Sequence, residues 1–321
     1  MSPLVSVALV VLGGALLYVG AEWLVRGSAG LARALGVKPL VVGLTLVAYG
    51  TSAPELAVSV VAITGDGDAM VLGNVIGSCI ANLGLILGLT ALVRPPDVDG
   101  RLIRREVPIL LASVAAVFAV LANGVIGLVE ALLLCTAAAA FTIYTLGASA
   151  KEVLPTAEAV LADAPDESPH EGVFKLGGLA LLGLALLGGG GYVFVEGARG
   201  FALWVGVTER VVGLTVVAFG TSVPELAAAV VAAARGHAAL AIGNVVGSNI
   251  FNIFLVLGGV GLVAPIHGEL GELRLDLVVL VGITLLSALA MRGSRRITRI
   301  EGVILFTTYV SFVVLAVAGW Q

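Results

Sequence analysis

GTSAPEL at residues 50–56 returns as GTSVPEL at residues 220–226, so a glutamate and a proline occupy matching places inside two long apolar runs. Sliding the chain on itself by 170 residues aligns 41–57 with 211–227 without a gap, and 14 of those 17 positions are identical. The same shift pairs GNVIGSCIANLGLILG (73–88) with GNVVGSNIFNIFLVLG (243–258), 10 of 16 being identical. A duplication that keeps register over two successive segments predicts two homologous halves meeting at one shared site.

Of the 321 residues, 59% are apolar and 12% charged, and the mean hydropathy is +1.12. Charge is too scarce to cover a water-soluble globule, so the composition predicts a polytopic, all-α membrane protein. Hydropathy places ten spans near 4–25, 40–64, 69–92, 102–122, 124–147, 173–200, 211–234, 238–264, 273–291 and 299–319. Five per half is an odd number, which makes the second half enter the membrane from the opposite side: two inverted five-helix repeats. The first repeat is expected over 1–149 (motif 41–90) and the second over 173–321 (motif 211–260), joined by an acidic, cytoplasmic linker at 150–172. The first span is read as a retained helix, not a cleaved signal peptide.

With the N-terminus outside, 14 of the 17 lysines and arginines fall in inner loops, leaving Arg199, Arg210 and Arg274 outside. The positive-inside rule therefore predicts both termini outside a cell membrane. Cys79 and Cys135 lie within spans and read as small apolar residues. His170, His237 and His267 have no partner at metal-ligand spacing. Glu22, Arg26 and Glu196 are given structural roles. The repeat partners Glu106 and Asp276 read as helix-packing or interfacial carboxylates, as do Glu130 and Glu301, which match only across a one-residue insertion.

Ala48, Thr51, Ser52 and Glu55 are spaced i, i+3, i+4, i+7, which puts two hydroxyls and a carboxylate on one helical stripe, and Ala218, Thr221, Ser222 and Glu225 repeat it. Pro54 and Pro224 lack an N–H, so each helix is expected to kink there and release carbonyl oxygens. The next span adds Ser78 and Asn82, then Ser248 and Asn252, again four apart. Pooled near the midplane, these groups make an all-oxygen cage, which suits a hard cation such as Ca2+. A kinked packing motif would explain the serines and asparagines too. The glutamates are harder to dismiss, because a carboxylate at mid-membrane costs roughly 2.5 to 3.5 kcal/mol on insertion scales and the chain carries it twice.

On these two motif pairs, spanning the whole chain, the protein resembles the cation/Ca2+ exchanger superfamily and, within it, the prokaryotic Na+/Ca2+ exchangers. The resemblance implies that Glu55, Glu225, Thr51 and Thr221 form a Ca2+ site. It also implies that Ser52, Ser222, Ser78, Ser248, Asn82, Asn252 and the carbonyls of Ala48 and Ala218 complete flanking Na+ sites. Alternating access would come from the first and sixth helices sliding against the other eight. Asn252 stands where several relatives carry aspartate, which argues against K+ co-transport. The expected partners are Ca2+, Na+ and the lipid bilayer, with no cofactor, no nucleic acid and no obligate protein partner. A secondary antiporter exchanging Na+ for Ca2+ is the leading expectation; a Ca2+/H+ or other divalent-cation antiporter on the same fold and a passive channel are the alternatives, and an enzyme fits least.

Overall fold

In the computed structural model, which describes residues 1–65, 67–150, 172–207, 218–293 and 295–318, every expected span carries helix. We number ten helices among the described residues: α1 Pro3–Ala34, α2 Pro39–Ile63, α3 Asp68–Val93, α4 Gly100–Val120, α5 Leu128–Ala150, α6 Val173–Trp204, α7 Val223–Ala234, α8 Ala238–Val263, α9 Arg274–Gly293 and α10 Arg299–Ala318. Eight are long and apolar enough to cross a membrane. Of the other two, α4 opens on Arg101, Arg104, Arg105 and Glu106, and α7 follows a short helical turn at Ala218–Gly220. The linker and the start of the seventh span lie outside the described residues.

Helix α1 runs to Ala34, well past the expected end near residue 25. The stretch beyond residue 25 carries Arg26 and Arg33, and the intervening Gly27, Ser28, Ala29 and Gly30 are buried. Gly27 and Gly30 lie against α6, and glycines recur every seventh residue on both helices. A Cβ on Gly13 would sit 2.5 Å from Phe194 N, on Gly20 2.9 Å from Gly183 O, and on Gly27 2.6 Å from Ala180 N. The repeat partners Gly183, Gly190 and Gly197 would in turn meet Leu24 N at 2.5 Å, Leu17 N at 2.9 Å and Val10 N at 2.7 Å. In lipid there is little hydrophobic drive between helices, so such backbone-to-backbone contact supplies the association by dispersion.

Two loop pairs repeat the pseudo-symmetry. Strand β1 (Val125–Ile126) pairs antiparallel with β2 (Ile266–His267), and Gly268 N–H donates to Gly124 O at 3.0 Å. In the other half Asp97 bridges Arg296 and Val98 N–H donates to Arg295 O at 2.7 Å. Gly124 has φ 81° and Arg295 φ 53°, a left-handed conformation in which glycine is unstrained and arginine is not. The one-residue insertion is thus real, and it explains Glu130 and Glu301. Glu130 Oε2 accepts from Gly127 N–H at 3.0 Å and Glu301 Oε2 from Thr298 N–H at 2.7 Å. Both carboxylates satisfy orphan donors at a helix start.

Elsewhere Glu22 forms a two-pronged pair with Arg235, at 2.6 and 2.7 Å, tying α1 to the end of α7. Glu196 pairs with Arg199 at 3.9 Å, three residues on. Asp99 caps α4, accepting from Arg101 N–H at 2.8 Å, and pairs with Lys38 at 3.4 Å.

Candidate functional site

Helix α2 breaks where proline demands it. Its Ala48–Thr51 turn ends at Ser52 (φ −82°, ψ 0°), and the helix restarts at Ala53 with Pro54 in its first turn. Ser222 (φ −87°, ψ 2°) breaks the second copy in the same way, ahead of α7. Proline in the first turn removes an N–H that has no intrahelical acceptor anyway, so the break costs least there. The Ala48 carbonyl is not released by this break, since it accepts from Ser52 N–H at 3.0 Å. In the second copy Ser222 N–H turns instead to Phe219 O at 3.1 Å.

A second irregularity was not expected. The backbone widens to π-helix at Gly43–Val47 in α2, at Asn82–Ile86 in α3 and at Asn252–Leu257 in α8. Two of these segments begin on the candidate asparagines themselves. Such bulges shift the register of the side chains that follow and are frequent at functional sites.

The two breaks meet. Glu55, Glu225, Thr51, Ser52, Ser222, Ser78, Ser248, Asn82 and Asn252 are all buried, each no more than 3% exposed, and Thr221 is half-buried. Bonds run between the repeats. Ser222 Oγ donates to Glu55 Oε1 at 3.5 Å and lies 3.3 Å from Ser78 Oγ, while Thr51 Oγ1 lies 3.5 Å from Ser248 Oγ. Each half of the cluster is therefore completed by the opposite repeat.

Buried polar atoms are normally hydrogen-bonded, so the exceptions are informative. Ser52 Oγ, Glu55 Oε2, both Glu225 oxygens and both amide atoms of Asn82 and Asn252 meet no partner among the described residues. Carboxylate, hydroxyl and amide oxygens without imidazole or thiolate form a donor set for hard cations. Cys79, one turn from the cluster, instead points its thiol at Asn249 O at 3.7 Å. Glu106 is buried on α4 and Asp276 half-buried on α9.

Two residues were missed by sequence reasoning. Asn74 accepts from Thr221 Oγ1 at 3.3 Å, and Asn244 accepts from Thr51 Oγ1 at 3.2 Å. The signal was present: both lie in the repeated GNV motif, four residues before the serines and eight before the asparagines already singled out.

A pseudo-symmetric membrane bundle that buries two carboxylates among hydroxyls, amides and helix breaks is a cation/Ca2+ antiporter, a transporter and not an enzyme. The chain belongs to the sodium/calcium exchanger protein family, whose model matches residues 5–161 and 175–318. It is similar to the sodium/calcium exchanger MaX1 of Methanosarcina acetivorans, at 34% identity over 97% of this chain and 98% of that one. It is also similar to the inner membrane protein YrbG of Escherichia coli, at 32% over 99% and 98%. Among solved structures it matches the sodium-calcium exchanger NCX_Mj soaked with Na+ and Sr2+, with a TM-score of 0.82 and 32% identity, covering 97% of this chain and 98% of that one.

Proposed function

We propose that this protein exchanges Na+ for Ca2+ across the cell membrane by alternating access, with both termini outside. The observation that carries the reading is the pair Glu55 and Glu225. They are contributed by opposite repeats, are buried to 0% and 1% exposure, and keep three of their four oxygens without a partner among the described residues. On this reading Glu55, Glu225, Thr51 and Thr221 hold Ca2+. Ser52, Ser222, Ser78, Ser248, Asn82, Asn252 and the carbonyls of Ala48, through the lone pair that Ser52 N–H does not take, and Ala218 complete Na+ sites around them. Two carboxylates neutralise one Ca2+, whereas three Na+ in the same space would leave one positive charge, so exchange in that ratio moves net charge. Residues 1–149 and 173–321 serve as the two repeats and 150–172 as a cytoplasmic linker, with no cofactor and no obligate protein partner.

The test is Ca2+ uptake into proteoliposomes loaded with Na+, against matched vesicles loaded with K+ or choline at equal pH and clamped potential. Uptake is expected only with internal Na+, and Glu55→Gln or Glu225→Gln is expected to abolish it in a protein that still folds. Wild-type flux in either variant would sink the site. Uptake that follows an imposed pH gradient and ignores Na+ would replace the reading with Ca2+/H+ exchange, and equal uptake in all vesicles with a channel.

A further inference from the structure

Asn74 and Asn244 are not in the donor set above, yet each reaches across the pseudo-symmetry axis to the threonine of the other repeat. A threonine hydroxyl has one proton and two lone pairs. To serve a cation its lone pairs must face the ion, which requires the proton to be sent elsewhere. Asparagine Oδ1 is an acceptor placed to take it.

The direction of the Asn74 amide is set by its surroundings. Its Nδ2 donates to Ser59 Oγ at 2.9 Å and to the backbone carbonyl of Glu55 at 3.2 Å. A carbonyl has no proton to give, so only the NH2 edge of the amide can stand there. Turning the side chain over would set Oδ1 against the Glu55 carbonyl, oxygen against oxygen, and would force the Ser59 hydroxyl, which now accepts, to donate instead. Oδ1 is thereby held towards Thr221.

The second repeat lacks this lock. Ala229 stands at the position equivalent to Ser59, and Asn244 Nδ2 is buried without a partner among the described residues. Its Oδ1 is also shared, taking Ser248 Oγ at 3.5 Å as well as Thr51.

We infer that Asn74 and Asn244 are positioning residues that aim the hydroxyl oxygens of Thr221 and Thr51 at the bound cation, and that the Glu55 carbonyl and Ser59 together lock the first of them while no described residue locks the second. The inference rests on the Ca2+ site proposed above and adds an asymmetry to it. Thr221 is pre-organised as a ligand, and Thr51 must be oriented when the ion arrives. Pre-organisation raises affinity by removing that ordering cost from the binding step.

The experiment measures half-saturating Ca2+, maximal exchange rate and ion-free thermal stability for wild type, Ser59→Ala, Asn74→Ala, the double variant and Ala229→Ser. Losing one orienting hydrogen bond is expected to raise half-saturating Ca2+ about fivefold in Ser59→Ala, with little change in maximal rate. Because Ser59 acts through Asn74, adding Ser59→Ala to Asn74→Ala should change nothing further. Ala229→Ser, which gives Asn244 Nδ2 an acceptor, is expected to lower half-saturating Ca2+ by about threefold. Unchanged affinity in Ser59→Ala, or an undiminished Ser59 effect in the Asn74→Ala background, overturns the inference and leaves the Ca2+ site standing. Wild-type protein that neither binds nor exchanges Ca2+ overturns both. If Ala229→Ser does not fold, the cycle between Ser59 and Asn74 still decides.

Discussion

Replacing Gly183 by alanine tests how α1 and α6 are held together. A Cβ at that position would lie 2.5 Å from Leu24 N, 2.7 Å from Gly20 O and 2.9 Å from Leu24 Cα. All three are backbone atoms, so no rotamer change relieves the contact. Restoring a carbon-to-heavy-atom spacing of about 3.5 Å requires the helices to part by roughly 1 Å. Overpacking of this kind costs about 1–3 kcal/mol. Against it stands the helix-propensity gain of about 1 kcal/mol on exchanging glycine for alanine, which obscures the result in a single variant. Gly188 on the same helix supplies the control, because a Cβ there meets nothing within 4 Å among the described residues. Both substitutions carry the same propensity gain, so their difference isolates the overpacking, and Gly183→Ala should be about 1–3 kcal/mol less stable than Gly188→Ala. Thermal unfolding of the purified, detergent-solubilised variants, followed at several scan rates because membrane proteins often unfold irreversibly, reads that difference. Equal midpoints, or a higher one for Gly183→Ala, would refute the close-packed glycine seam.

Asn252→Asp would add a third carboxylate to the cluster, and like charges in a low-dielectric site favour binding of a proton. Exchange by that variant should gain acid sensitivity relative to wild type, and superimposable pH profiles would argue against a shared site. Burial alone would raise the Asp99 carboxyl, but the Arg101 N–H and the Lys38 charge outweigh it and hold the group below its ordinary value. A depressed carboxylate stabilises the fold above its unfolded pKa of about 3.9 and loses that contribution as pH falls through the lower folded value. Asp99→Asn keeps a good helix cap and gives up the charge. It should therefore change stability at pH 7 by no more than about 1 kcal/mol and flatten the stability loss between about pH 5 and pH 3. Glu22→Gln should loosen α1 from the end of α7. Tyr192 and Gly65 occupy the equivalent positions of the other repeat and offer no matching pair, so half-saturating Ca2+ should shift in opposite directions on the two faces of the membrane. A uniform shift would assign the pair to folding alone.

What local pattern encodes was legible in the chain. The 170-residue repeat, the ten spans and the stripe of Thr51, Ser52 and Glu55 follow from residue order, since helical periodicity puts i, i+3, i+4 and i+7 on one face whatever lies opposite. Pro54 and Pro224 marked the helix breaks because a missing N–H acts within its own turn. The carboxylates were visible because burying charge in a membrane is costly wherever it occurs.

Whatever depends on which faces meet was decided by the tertiary structure. The seven-residue spacing of Gly13, Gly20 and Gly27 acquires its meaning only when α6 lies against them, backbone on backbone. Glu130 and Glu301 match in sequence across a one-residue insertion, but their role as helix caps that follow left-handed turns at Gly124 and Arg295 showed only in the structure. The π-helical segments that open at Asn82 and Asn252 left no mark in composition. Asn74 and Asn244 sat in plain view in both motifs, but their bonds run to threonines 147 and 193 residues away. A sequence sets the spacing of groups along its own helix; the direction of a hydroxyl proton is set by the acceptor that folding brings across from the other repeat.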